Sequence, residues 1–330
     1  MQLTIMPFVA VVVISWAAMP ALTRAAETPA GAGLWPANYT PEPTNCGAFE
    51  ADGQGFCVAD DSPLGVELGV KFDSAKPVLL TGVRIYRVVL SDDEPTVTGS
   101  LWDASGNLLR SSTDGGYQPD SGWADLVFDE PFLIDDFDVG ETFVASYYSP
   151  GATYAFEYQF FSLGPFTNGP ITAQQSLSAD GNGVYCYDNQ SCFPVYTYRD
   201  INYWVTPLWA YDFDGFYQPV DSDTWNMAKA GQVIPVKFSL GLGADLGLEI
   251  LKAGFPKASP IACEEGGASI NEIEVESATT AGGSGLTYDV DADQYVYAWK
   301  TRKQWAGRCY EFNLGLNDDT SHTFKVSFSR

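Results

Sequence analysis

The chain has 330 residues, 42 of them acidic against 17 basic, with one histidine and a formal charge of −25. Charge of that sign excludes recognition of nucleic acid or of an anionic membrane through a basic face. It keeps an exported protein in solution and offers carboxylates to divalent cations.

At the amino end, Phe8 to Trp16 is an apolar run too short to anchor in a bilayer. Thr23-Arg24-Ala25-Ala26 places small residues for cleavage after Ala25, so residues 1–25 read as a signal peptide. No lysine or arginine precedes the apolar run, which departs from the usual pattern. No second apolar stretch reaches bilayer length, so the expectation is a secreted or extracellular protein, without stable membrane insertion and soluble once processed. Residues 26–59 are expected to be a flexible leader, rich in Pro, Ala and Gly as far as Pro43.

From Val66 the pattern changes. Val66, Leu68, Val70 and Phe72 alternate with Glu67, Gly69 and Lys71, the period-two signature of a half-buried strand. Val83 and Ile85, then Ala124, Leu126 and Phe128, then Phe143, Ala145 and Tyr147 repeat it, with turn residues between at Ala104-Ser105-Gly106-Asn107 and Asp114-Gly115-Gly116. Ser149 to Pro207 crowds aromatic residues into a Gly- and Asn-rich background and reads largely as ordered loop, where Tyr and Trp can pack a face while the tip stays wet. The alternation returns in Ile234, Val236, Phe238 and Leu240, with Pro235 marking an edge because it lacks an N–H. Tyr295, Tyr297 and Trp299, then Tyr310, Phe312, Leu314 and Leu316, then Phe324, Val326 and Phe328 complete the series. No longer stretch shows a capped 3.6-residue period. The fold class is therefore all-β: two antiparallel, immunoglobulin-like β-sandwiches in tandem with little helix, the first over residues 60–210 and the second over 211–330.

Six cysteines fall into three local groups, and proximity predicts Cys46–Cys57, Cys186–Cys192 and Cys263–Cys309 out of fifteen connectivities. An oxidising compartment favours disulfides, each contributing about 2–4 kcal/mol, and the absence of paired CxxC spacings argues against zinc.

Val66-Glu67-Leu68-Gly69-Val70-Lys71-Phe72, Thr81-Gly82-Val83-Arg84-Ile85-Tyr86, Gly99-Ser100-Leu101-Trp102, Gly122-Trp123, Phe143-Val144-Ala145-Ser146-Tyr147, Gly181-Asn182-Gly183-Val184-Tyr185, Phe193-Pro194 and Asn202-Tyr203-Trp204-Val205 occur in that order. Together they resemble the bacterial family catalogued as domain of unknown function 4082, over about residues 60–210. Cys186 and Cys192 depart from the family pattern and suggest a local staple. The resemblance implies an extracellular β-sandwich, commonly a building block of larger secreted proteins, and brings no catalytic residues with it. Ile234-Pro235-Val236-Lys237-Phe238-Ser239-Leu240, with Tyr295 to Thr301 and Trp305-Ala306-Gly307 before Cys309, looks similar to the PxKF domain family over about 211–330. That likeness implies a terminal immunoglobulin-like module of exported bacterial proteins with no assigned chemistry.

The chemistry readable in the residues is sparse, and no catalytic constellation stands out, so no enzyme activity is expected. A hydrolytic triad needs a histidine held by an acid against a nucleophile, and His322 shares parity with the buried positions of the last strand, which suits packing better than base catalysis. Asp291-x-Asp293 and Asp221-x-Asp223 place oxygen ligands in turns, making calcium the candidate cation, yet without the spacing of a twelve-residue calcium loop. Asp also favours turns with no metal at all. Sugar binding needs aromatic platforms, and Tyr148 and Tyr154, which bracket the Ser149-Pro150-Gly151 turn, with Trp102, are the candidates, expected at least partly exposed; Trp123 and Trp204 are expected to fill the core. The leading expectation is a non-catalytic binding module for a glycan or another cell-surface component, cell-wall or environmental polysaccharide above all, using loops between residues 102 and 198. The alternative is a structural spacer or matrix protein, and a third reading is an accessory part of an enzyme acting on polysaccharide.

Overall fold

The structure, a computed structural model, describes residues 31–35, 62–88, 95–112, 122–241, 246–263, 276–277 and 285–329. The signal-peptide segment and the Cys46–Cys57 pair lie outside the described residues.

Among the described residues, eleven strands make the first half: β1 (Gly65–Ser74), β2 (Val78–Arg87), β3 (Thr98–Asp103), β4 (Leu108–Ser111), β5 (Gly122–Ile134), β6 (Phe143–Ser149), β7 (Phe166–Asn168), β8 (Ile171–Ala173), β9 (Val184–Asp188), β10 (Tyr196–Thr197) and β11 (Val205–Ala210). Eight of them form one sheet along the path β10-β9-β1-β6-β3-β4, with β8 on β1 and β7 on β8, while β11-β2-β5 form a second. β2 and β11 lie across β1, β3 and β6, which makes a sandwich. Leu68, Leu80, Val83, Ile85, Leu126 and Ala145 meet between the sheets with no exposure.

The second half holds β12 (Phe216–Tyr217), β13 (Asn226–Lys229), β14 (Val233–Phe238), β15 (Lys257–Ile261), β16 (Glu276–Ser277), β17 (Leu286–Asp289), β18 (Gln294–Lys300), β19 (Cys309–Gly315) and β20 (Ser321–Ser329). A sheet β12-β14-β18-β17 faces a sheet β13-β20-β19-β15-β16. Trp299 of β18 ties them, its ring centroid 4.8 Å from Phe312 and 5.9 Å from Phe324 and Phe328 across the core. The only helical turns among the described residues are short 3-10 segments at Phe160–Ser162 and Lys303–Trp305. The all-β tandem sandwich reading holds, with one departure: β13 pairs with β20 in parallel, because it arrives through the Val220 to Trp225 loop rather than a hairpin.

Pro235 shows why a proline is tolerated in β14. It pairs with Ala298 of β18 on one side, whereas β12 reaches only Lys237 and Phe238 on the other, leaving the proline on an open edge. Two of the expected disulfides are formed, Cys186–Cys192 with Cα atoms 6.4 Å apart and Cys263–Cys309 with 5.4 Å.

Three expectations need correction. Residues 31–35, assigned to a free leader, are wholly buried: Ala32 bridges Trp209, Leu34 N–H donates to Thr206 Oγ1 at 2.7 Å, and the Trp35 ring lies 4.4 Å from Phe166 and 5.6 Å from Trp204. Trp204 is core, whereas Trp123 shares parity with exposed Val127 and is only partly buried, packed against the margin of the core with its ring 5.5 Å from Tyr86. Glu67, on the solvent parity of β1, is fully buried because a second layer covers that face too.

Candidate functional site

Pairing register places Glu67 of β1 beside Tyr148 of β6 and Cys186 of β9, all projecting from the outer face of the eight-stranded sheet. Ser146 and Val144 of β6, Ser100 and Trp102 of β3 and Val184 of β9 share that face. The loop after β9 folds over it. Ser191 Oγ donates to Glu67 Oε2 at 2.7 Å, Ser146 Oγ donates to Glu67 Oε1 at 2.5 Å, and Trp102 Nε1 donates to Ser146 Oγ at 2.8 Å. The Cys192 N–H and Ser100 also bond the carboxyl. Phe193 packs on Trp102 at 5.7 Å, and with Val144 and Val184 they form a small second core. Burial outweighs these donors and pushes the Glu67 carboxyl up to about 7.

The candidates Trp102 and Tyr148 therefore belong to this buried polar cluster or its margin. Trp102 is only 7% exposed, correcting its reading as an open platform. Tyr148 is half-buried; its hydroxyl donates to the Asp188 carbonyl at 3.1 Å, and its ring lies over Gly65, where a Cβ would come within 2.2 Å of the hydroxyl. Tyr154 is also buried rather than exposed, since it packs on Tyr203 at 5.7 Å and on Phe156 at 5.9 Å.

Tyr154 nevertheless leads to an open surface. Phe156 meets Tyr158 at 5.0 Å, and Tyr158 meets Tyr198 at 6.4 Å, so a row of rings runs from buried Tyr203 out to exposed Tyr198. Arg199 caps it, its guanidinium carbon 5.3 Å from the Tyr158 centroid and 5.1 Å from that of Tyr198. A second row lies alongside on β9 and β10: Tyr185 packs against Tyr187 at 5.6 Å and against exposed Tyr196 at 5.9 Å. Burial first, and then the neighbouring Tyr185, Tyr187, Tyr147 and Tyr158, raise the Tyr203 hydroxyl well above the usual range.

The backbone beneath Arg199 is in the left-handed region, with φ of 51° at Arg199, 53° at Asp200 and 60° at Gln159. Gln159 N–H donates to the Arg199 carbonyl and Phe161 N–H to that of Asp200, so the unfavourable conformations are held by partners across the loop. Three non-glycine residues so placed concentrate strain at one surface point. Reading from sequence chose the residues flanking a Pro-Gly turn and missed this strip. The alternations Tyr185-x-Tyr187 and Tyr196-x-Tyr198 were the available signal, since period two puts each pair on one face.

In the second half, His322 stacks on Phe213 at 3.6 Å, and burial lowers its pKa to about 4. Its Nε2 lies 3.1 Å from Thr320 Oγ1, which donates to Asp318, so the ring is a packed group. The aspartate pairs make turns: Asp223 N–H donates to Asp221 Oδ1, and Tyr288 OH donates to Asp293 Oδ1, while Asp291 N–H donates to Asp289 Oδ1. Among the described residues, no group of three or more His, Cys, Asp and Glu side chains is placed to hold a metal ion.

Residues 55–205 match the model of a family described as Domain of unknown function (DUF4082), and the match ends before the second sandwich. No curated protein and no solved structure matches the chain. The disulfides fit an extracellular location, and among the described residues no helix is long and apolar enough to cross a membrane.

Proposed function

We propose that this chain is a secreted, non-catalytic binding module that takes a polysaccharide on the tyrosine strip of its first sandwich. The observation that carries this reading is Arg199, braced over Tyr158 and Tyr198 on a backbone held in the left-handed region. Phenol rings stack on the CH faces of sugars while their hydroxyls and a guanidinium bond sugar oxygens. Tyr196 and Tyr198 are 61% and 47% exposed, enough to meet a ligand. The ligand contact thus moves from Trp102 and Tyr154 to Tyr158, Tyr196, Tyr198 and Arg199, with Tyr154 acting as the base of the ring row and Tyr148 left on the sheet's outer face. The second sandwich, with Pro235-Val236-Lys237-Phe238 in β14, fits a PxKF-like terminal module.

A glycan array probed with the processed protein tests the reading. Tyr196→Ala and Tyr198→Ala should each weaken binding to the recognised glycan by about tenfold, with the melting temperature unchanged because both rings are exposed. Absence of any bound glycan, or binding indifferent to both substitutions, would sink it. The spacer reading keeps one supporting observation: the buried apolar residues of both sandwiches form a single continuous cluster, as a stiff connector requires.

A further inference from the structure

The segment that carries Tyr196, Tyr198 and Arg199 is weakly held by its own strand. β10 is two residues long, pairs among the described residues with β9 alone through Tyr196–Tyr185 and Thr197–Val184, and ends the described sheet. What holds the chain immediately before it is the cluster on the opposite face of the sheet. Cys186, directly across from Glu67, is joined to Cys192 in a closed loop with a sequence separation of 6. Ser191 and the Cys192 N–H bond the Glu67 carboxyl, and Phe193 inserts against Trp102 and over Gly106, where a Cβ would come within 2.8 Å of its ring. Three residues after Phe193 the tyrosine arm begins.

We propose that Glu67 and the Cys186–Cys192 disulfide form a redox-sensitive anchor that holds the Tyr196–Arg199 arm in its binding geometry. The proposal deepens the binding reading by assigning positioning residues to the same strip, and its structural half can be tested without a ligand. Cys186 is buried, whereas Cys192 is partly open, so an external dithiol approaches through Cys192. A reductant thiolate attacks Cys192 Sγ, the S–S bond breaks, and Cys186 leaves as a thiolate that takes up a proton. The second reductant thiol then displaces Cys192, and the dithiol departs as a disulfide having supplied two electrons. Once the loop is open, Ser191 and the Cys192 N–H are no longer forced onto Glu67. The carboxyl, left with only its sheet partners Ser146 and Ser100, gains hydration by pushing the loop away, and Phe193 and the arm follow.

Hydrogen–deuterium exchange of the whole protein, read by mass spectrometry, decides the matter. In Cys186→Ser/Cys192→Ser, exchange across residues 189–200 should rise by about tenfold or more while residues 66–72 and 205–210 stay protected. Glu67→Ala with the disulfide intact should loosen residues 189–193. Cys263→Ser/Cys309→Ser, in the other sandwich, should leave residues 189–200 unchanged. Should the double variant fail to fold, the parent protein is titrated with dithiothreitol and thiol-labelled; labelling of Cys186 and Cys192 with residues 189–200 still protected overturns the proposal, as does unchanged exchange in the folded variant. Glycan affinity of the same samples is read separately: a parent that binds no glycan refutes the binding reading, whereas the exchange data refute or support the anchor.

Discussion

At the scale of single residues, Glu67 is the most informative group in the molecule. It has no exposure, and its acid is pushed up to about 7 from an ordinary 4.5, with burial the main cause. A carboxyl that binds its proton more tightly in the folded chain stabilises folding fully below about 4.5 and loses that advantage as pH rises to about 7, a difference on the order of 3 kcal/mol. Buried Asp318 is shifted in the same direction. His322, lowered to about 4 from 6.5, works oppositely and costs stability as pH falls through that window. A difference measurement removes both. Glu67→Gln keeps an amide in hydrogen-bonding reach of Ser146 and Ser191 but cannot ionise, so its stability relative to the parent should improve steadily between pH 4.5 and pH 7. Urea unfolding at three pH values measures it, and parallel profiles would contradict the assignment.

At the scale of elements, the turn between β19 and β20 fastens the link between the sandwiches. The buried Asp318 carboxyl accepts from Tyr211 N–H at 2.7 Å, Thr320 N–H at 2.9 Å and Thr320 Oγ1 at 2.6 Å, and Tyr211 is the residue directly after β11. Asp318→Ala strands the buried Tyr211 N–H and should cost about 2–3 kcal/mol, whereas Asp318→Asn, which retains an acceptor, should cost less. Equal losses in chemical denaturation would show that the bond to Tyr211 contributes little. The alternation that marks these strands was legible beforehand: Val236 and Phe238 are buried with Ile234 half-buried, while Pro235 faces out, as period two requires. The pairing of β13 with β20 was not, because a parallel partner leaves no hairpin turn between the two segments in the chain.

At the scale of the whole molecule, the buried segment at residues 31–35 completes the first sandwich. Its Gly33 carbonyl accepts from Asn168 Nδ2 at 2.6 Å, and Trp35 fills a space bounded by Phe160, Phe166 and Trp204. Trp35→Ala should cost about 3–5 kcal/mol, the range for emptying a large aromatic site. A chain trimmed through Trp35 should melt lower than one trimmed only as far as Gly31, by as much as the point substitution or more. A shortened chain that melts with the parent would mean the segment adds no stability.

The sequence alone pointed to the β class, the strand faces and the pairings Cys186–Cys192 and Cys263–Cys309, because alternation acts within a few neighbouring residues and each of these cysteines has its nearest partner along the chain in its own sandwich. Tertiary structure decided what covers each face. Parity shows that Glu67 lies opposite Leu68, and that Trp123 lies opposite Ala124, but not which of the two sides another layer will cover. Ser191, 124 residues along the chain, closes over Glu67, while Trp123 stays partly buried beside Tyr86. Tyr154 turned inward because Tyr203 and Phe156 offered it rings, whereas Tyr198 stayed open at the sheet's short last strand. A strand has two faces of equal standing until distant chain is folded onto one of them, and that contact is encoded in shape and packing rather than in any local period.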